Sequence, residues 1–220
     1  MTVMNDTLVT VTCQSTLLVT RLDSVSMSQD AVSIGQLPSW YPGTERKPAP
    51  LPLLLVQAFV NTVDLEDGTD RLADLESARA WLVDSGILDR RAELDETDLQ
   101  LARDLREAIR ALLAGGSPDA RLEPLRRVAA DHRARLTVAR GGMLGLEAAE
   151  HGGLGDGLFG LLLLIRRAQE DGSWSRMKVC ANPDCRWAFF DASRNQRGSW
   201  CNMASCGNRL KNRELRARRR

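Results

Sequence analysis

The chain has 220 residues, 43% of them hydrophobic and 27% charged, which leaves room for one medium domain and a small one. No apolar run approaches the ~20 residues that a membrane helix needs, and residues 1–20 lack a basic segment followed by a continuous apolar core, which argues against a signal peptide and for the cytoplasm. The net charge of +1 hides an asymmetry: Arg176 to Arg220 hold twelve Lys/Arg against three Asp/Glu, and the rest of the chain is acidic. A basic end on an acidic body reads as a polyanion-binding module attached to something else. For Arg218-Arg219-Arg220 alone, a solvated tail is the favoured reading.

Residues 1–47 show no clear periodicity and are expected to form a poorly ordered extension. Met27 is a second candidate start, and Cys13 has no assigned role. Pro48, Pro50 and Pro52 then punctuate the chain. The apolar run 53–63 is too long for a typical strand and predicts a buried helix with proline in its first turn, followed by a turn at Glu66-Asp67-Gly68. A second helix is expected from Asp74 to Ser85, stopped by Gly86. A third runs from Thr97 to Leu113, with Thr97-Asp-Leu-Gln100 as its capping box. A fourth begins at Ser117-Pro118. Two short strands, 135–139 and 143–147, flank a Gly141-Gly142 turn. A long apolar helix, Leu154 to Asp171, closes a mainly helical body over 48–172. Its only histidines, His132 and His151, have no partner pattern for proton shuttling, and the glycines around His151 end in no phosphate-loop or nucleophile signature. The body is therefore expected to sense or bind and not to be an enzyme; no catalytic residue is assigned.

The remaining segment carries four of the five cysteines: Cys180-Ala-Asn-Pro-Asp-Cys185, then fifteen residues, then Cys201-Asn-Met-Ala-Ser-Cys206. Two Cys pairs of equal spacing, one hairpin's length apart, can bring four thiolates to the corners of a tetrahedron around one structural Zn²⁺. The competing readings are two disulfides or four unrelated core cysteines. Trp187, Phe189 and Trp200 are expected to form a miniature core. The turn residues Arg194, Asn195 and Arg197 have no such duty and are free to face a phosphate. A helix from Met203 to about Arg218, capped by Asn202, would place Arg209, Arg213 and Arg216 on one stripe, flanked by Lys211, for a groove or backbone. Asn61, a polar amide on an apolar helix, is expected to hydrogen-bond backbone, with ligand contact the alternative.

The run Cys206-Gly207-Asn208-Arg209, with Trp200-Cys201-x-Met203 and Phe190-Asp191-x-Ser193-Arg194-Asn195 before it, resembles the CGNR zinc finger. Phe59-Val60-Asn61-Thr62-Val63, Trp81-Leu82 and the Gly86 break resemble the start of its usual companion, the helical ABATE domain. The resemblance covers about 48–218. It implies an α+β architecture, mainly α with small β hairpins, in which a helical N-terminal domain precedes a treble-clef-like finger over 176–218. It also implies a bacterial transcription regulator linked to stress. Asn208 joins the candidate nucleic-acid contacts on that motif. DNA is the expected partner, with RNA, a homodimer or a small-molecule effector as further possibilities. The alternative function is an adaptor in which the finger holds a helix for a protein partner.

Overall fold

The computed structural model describes residues 39–41, 45–115 and 119–209. Helix α1, Leu53–Val60, is buried on nearly every side, as its apolar composition requires. It stops short of the expected residue 63. Asn61 caps it, Thr62 Oγ1 donates back to Phe59 O at 2.9 Å, and Val63–Asp64 turns into a strand, β1, paired with β2, Thr69–Asp70. The expected turn between them ends at Gly68, whose φ of +70° favours glycine.

Helix α2 spans Leu75–Asp84 and is capped by Asp74, which accepts from Ser77 N. Helix α3, Glu96–Leu113, starts one residue before Thr97. Its capping box is Asp95 with Asp98, not Thr97 with Gln100. Asp95 Oδ1 accepts Asp98 N at 2.8 Å, and Asp98 Oδ2 accepts Asp95 N at 3.4 Å. A carboxylate cap also meets the positive end of the helix dipole, which a threonine hydroxyl does not. The expected start of the fourth helix, Ser117-Pro118, lies outside the described residues. A 3₁₀ turn, Asp119–Leu122, leads into α4, Glu123–Asp131, with Pro124 in its first turn. Strands β3, Ala134–Val138, and β4, Leu144–Ala148, form an antiparallel ribbon. Helix α5, Leu154–Glu170, ends before Gly172 at φ +80°.

Helices α1, α3, α4 and α5 enclose the core around Phe59, Leu105, Ile109, Leu158 and Leu161. Helix α5 reaches the loop after α2 at closest range through Gly157, where a Cβ would stand 1.8 Å from Ile87 O. No backbone can yield that much cheaply.

Two sequence boundaries change in three dimensions. Residues 1–38 lie outside the described residues, but the extension assigned to 1–47 is too long. Tyr41 is buried, Trp40 O accepts Trp81 Nε1 at 3.1 Å, and Ser39 donates to Asp84. The finger also shares the body's core, because Met177 and Ala188 lie in the same buried cluster as Phe59.

Two buried arginines one turn apart on α3 hold the pieces together. Arg106 makes a bidentate pair with Asp70 at 2.6 and 2.9 Å and also reaches Thr62 Oγ1, which fastens the β1–β2 turn. Arg110 is fully buried. It donates to Val60 O at the end of α1, at 2.6 Å, and to Arg186 O in the cysteine segment, at 2.7 Å. Burial pulls its pKa down from the ordinary guanidinium value, and Glu107 opposes that shift.

Substituting Gly157→Ala is expected to destabilise the protein by about 3 kcal/mol or more, the range of severe overpacking against backbone. Denaturant unfolding measures this. A change within about 0.5 kcal/mol would show that α5 does not sit this close to the Ile87 backbone.

Candidate metal centre

The cysteine segment begins with a 3₁₀ turn, Ser173–Arg176, and strand β5, Met177–Val179, which pairs antiparallel with β6, Ala188–Phe190. The hairpin therefore straddles the first cysteine pair and does not lie between the two pairs. Cys180 and Cys185 sit at its tip, where Asn182 O accepts both Cys185 N and Arg186 N at 3.0 Å. Arg186 takes φ +52° to leave this tight loop. Cys201 and Cys206 come from the second loop. Asn202 caps a π-helical turn, Met203–Gly207, by accepting Ala204 N at 2.9 Å, and its carbonyl accepts Cys206 N at 3.0 Å. The expected α-helix therefore opens as a wider turn, and Asn208 and Arg209 continue it in α form.

The four sulfurs lie within 4.8 Å of one another. Cys185–Cys201 and Cys201–Cys206 are each separated by 3.7 Å. Four sulfurs at the usual Zn–S length form a tetrahedron with an edge of ~3.8 Å, so the spacing fits one zinc. It is far too long for a disulfide, and all four cysteines are free. The thiols also perturb one another. Hydrogen bonds from the Cys185 and Cys201 thiols hold Cys180 far below the ordinary thiol value, and the same bonds push those two up. The cluster thus accommodates a first negative charge and resists further ones until a cation neutralises them. Four protein ligands leave no open coordination position, which makes the site structural.

Gly207 has a packing reason to be glycine, since a Cβ there would meet Met203 Sδ at 2.5 Å and Trp200 Cδ1 at 3.2 Å. Trp187 and Trp200 line the cysteine cluster, as expected. Phe189 is buried, with the Lys47 ammonium 4.7 Å above its ring.

The candidate nucleic-acid contacts fall into three groups. Arg194 and Arg197 are exposed and have no ion-pair partner among the described residues. Asn195, Asn208 and Arg209 are engaged. Asn195 Oδ1 accepts Arg197 N at 3.4 Å, Asn208 Nδ2 donates to Ala204 O, and Arg209 Nη1 lies 3.0 Å from Glu66 Oε1. Lys211, Arg213 and Arg216, and with them most of the expected stripe, lie outside the described residues. The turn carrying Arg194 to Arg197 is organised by Asp191. Its carboxylate accepts Ser193 N and Oγ, Gly198 N at 2.7 Å and Lys178 Nζ at 2.7 Å. Burial pushes this carboxyl up, but Lys178, Ser193 and the Gly198 N–H outweigh burial and hold it well below the usual carboxylate range. A depressed folded-state pKa gives stability that is complete above the unfolded value of ~3.9 and is lost as pH falls below it. The turn is therefore fully braced at neutral pH.

Asn61 faces no ligand space. Its amide spans the outer edge of β6, with Oδ1 accepting Ala188 N and Nδ2 donating to Ala188 O, both at 2.8 Å. Gln57, one turn earlier, donates to the same carbonyl, and Lys47 O accepts Phe190 N at 2.9 Å. Sequence reasoning did not find Gln57, Lys47, Arg110 or Glu66. The one signal available was Gln57 and Asn61 at i, i+4 on an otherwise apolar helix.

Comparison with protein families places these pieces. Residues 54–169 match the ABATE model, described as "Putative stress-induced transcription regulator". The chain belongs to the ABATE family. Residues 176–219 match the CGNR zinc finger, the segment that holds the four cysteines. A search of curated proteins found no match. No helix among the described residues is long and apolar enough to cross a membrane.

Purified protein is expected to hold one zinc per chain by metal analysis. Cys185→Ser is expected to lose the metal and the ordered structure of residues 199–209, since small zinc modules fold with their metal. Asn61→Ala is expected to keep the zinc but lose about 1–3 kcal/mol of stability, because it leaves the buried N–H of Ala188 unpaired and its carbonyl with Gln57 alone. Unchanged denaturant unfolding of Asn61→Ala would refute this role.

Proposed function

We propose that this protein is a DNA-binding transcription regulator in which the zinc does no chemistry and the finger presents a basic surface to the phosphate backbone. The observation that carries this reading is the pair of exposed arginines, Arg194 and Arg197, which have no ion-pair partner among the described residues, on a turn braced by the buried Asp191. Exposed arginines are common, but here a buried carboxylate with four donors fixes the backbone between them. Pre-ordering that turn lowers the entropy lost on binding. The twelve basic residues of 176–220 supply the attraction that makes such binding salt-dependent. The ABATE body acts as the rigid mount, and the protein is not an enzyme. Arg209, released from Glu66, would add a further phosphate contact. Lys211, Arg213 and Arg216 extend the same charge along the chain.

Zinc-loaded protein is titrated into labelled duplex DNA at several salt concentrations. Affinity is expected to fall linearly on a log–log plot, and Arg194→Ala and Arg197→Ala are each expected to reduce the slope by about 1. Absence of binding to any duplex at low salt overturns the proposal. Tighter binding to RNA of the same length, or finger-dependent capture of a protein that survives nuclease treatment, would move the function to RNA binding or to an adaptor. Sequencing the genomic fragments retained by the protein reports its specificity.

A further inference from the structure

The β3–β4 ribbon is built the wrong way round for an isolated chain. The register pairs Ala134 with Ala148, Leu136 with Leu146 and Val138 with Leu144, so these six side chains occupy one face and all are apolar. The other face carries Arg135 opposite Glu147 and Thr137 opposite Gly145. A two-stranded ribbon resting on a helical body ordinarily turns its apolar face inward. Here the apolar residues are the exposed ones: Leu136 is 65%, Val138 69%, Leu144 65% and Leu146 38% accessible. The polar face is the more sheltered one. Thr137 and Glu147 are half-buried, and Arg135 reaches towards both Glu147 and His151 at the entrance to α5. No third strand joins the ribbon among the described residues.

We infer that this face is the contact surface of a homodimer, in which the apolar face of one ribbon packs on the same face of a second copy. Two features favour a second copy as the occupant. First, the paired strands put no charge on this face, because their ionisable groups, Arg135 and Glu147, lie on its opposite side and Arg140 sits in the turn. A two-fold axis sets each residue near its own equivalent, so an uncharged patch packs on itself without like-charge repulsion. Second, the area is right. The four exposed side chains of this face present on the order of 450 Å², within the range of the largest patch that a monomer normally shows. Two copies would bury about 900 Å², close to the ~1,000 Å² at which specific interfaces begin. A dimer of this size is reversible, with an affinity set by Leu136, Val138, Leu144 and Leu146. The inference does not depend on the nucleic-acid reading.

The test is sedimentation equilibrium of the full chain from low to high micromolar concentration, with the double variant Leu136→Glu/Leu144→Glu and the opposite-face control Arg135→Ala. The wild type and Arg135→Ala are expected to associate towards twice the 24.3 kDa chain mass. The double variant is expected to raise the dissociation constant by roughly 100-fold or more, because it would bury unpaired carboxylates. Both substituted positions are largely exposed, so circular dichroism and zinc content should not change. If the double variant fails to fold, Val138→Lys serves as a second variant at the most exposed position of β3. A wild type that stays monomeric at high micromolar concentration overturns the inference, including the case in which another part of the same chain shields Leu136. A dimer that persists in the double variant, or in Val138→Lys, overturns it equally.

Discussion

Strand β6 is three residues long and, among the described residues, has one strand beside it, β5. Its register turns the N–H and C=O of Ala188 away from that partner, into the protein interior. Buried backbone groups left unpaired would cost more than so short a hairpin can recover. Asn61 resolves this by offering an amide that both accepts from and donates to Ala188, as a neighbouring strand would. The segment at Lys47 completes the edge at Phe190. Much of the rest follows from this clasp. It fixes where α1 must end, draws 45–49 along the finger, and makes the finger's first strand pair part of the body's core.

Arg110 serves the same constraint from another direction. A helix end and a tight cysteine loop each leave a carbonyl that no local donor can reach, and one guanidinium, fully buried, satisfies both. Zinc does the remaining work. The second cysteine loop contributes little apolar burial, so its position depends on the metal, while the first loop is held by metal and body together. Loss of zinc should therefore loosen residues 199–209 more than the β5–β6 hairpin.

Glu66 shows how the body can influence the finger's chemistry. It is carried by the β1–β2 turn that Arg106 anchors, and it meets Arg209 at the start of the C-terminal segment. An arginine paired in this way offers less charge to a polyanion than Arg194 and Arg197. Among the described residues the basic surface is thus graded: Arg194 and Arg197 carry no ion pair, and Arg209 is shared with the body.

The sequence by itself determined the zinc ligands, the order of helices and the β3–β4 ribbon. Each is a local pattern: equal cysteine spacing, apolar residues every three to four positions, glycines at positive φ. It misjudged the cap of α3 because Asp95 and Thr97 both satisfy a capping pattern, and only the backbone's entry direction selects between them. It could not foresee that residues 39–41 and 45–47 are packed, or that the hairpin straddles the first cysteine pair, because both depend on partners from about forty to well over a hundred positions away in the chain. Only the tertiary structure decided the roles of Asn61, Gln57 and Arg110. A buried polar side chain is specified by which orphaned backbone groups it must satisfy, and those groups exist only once the body and the finger have met.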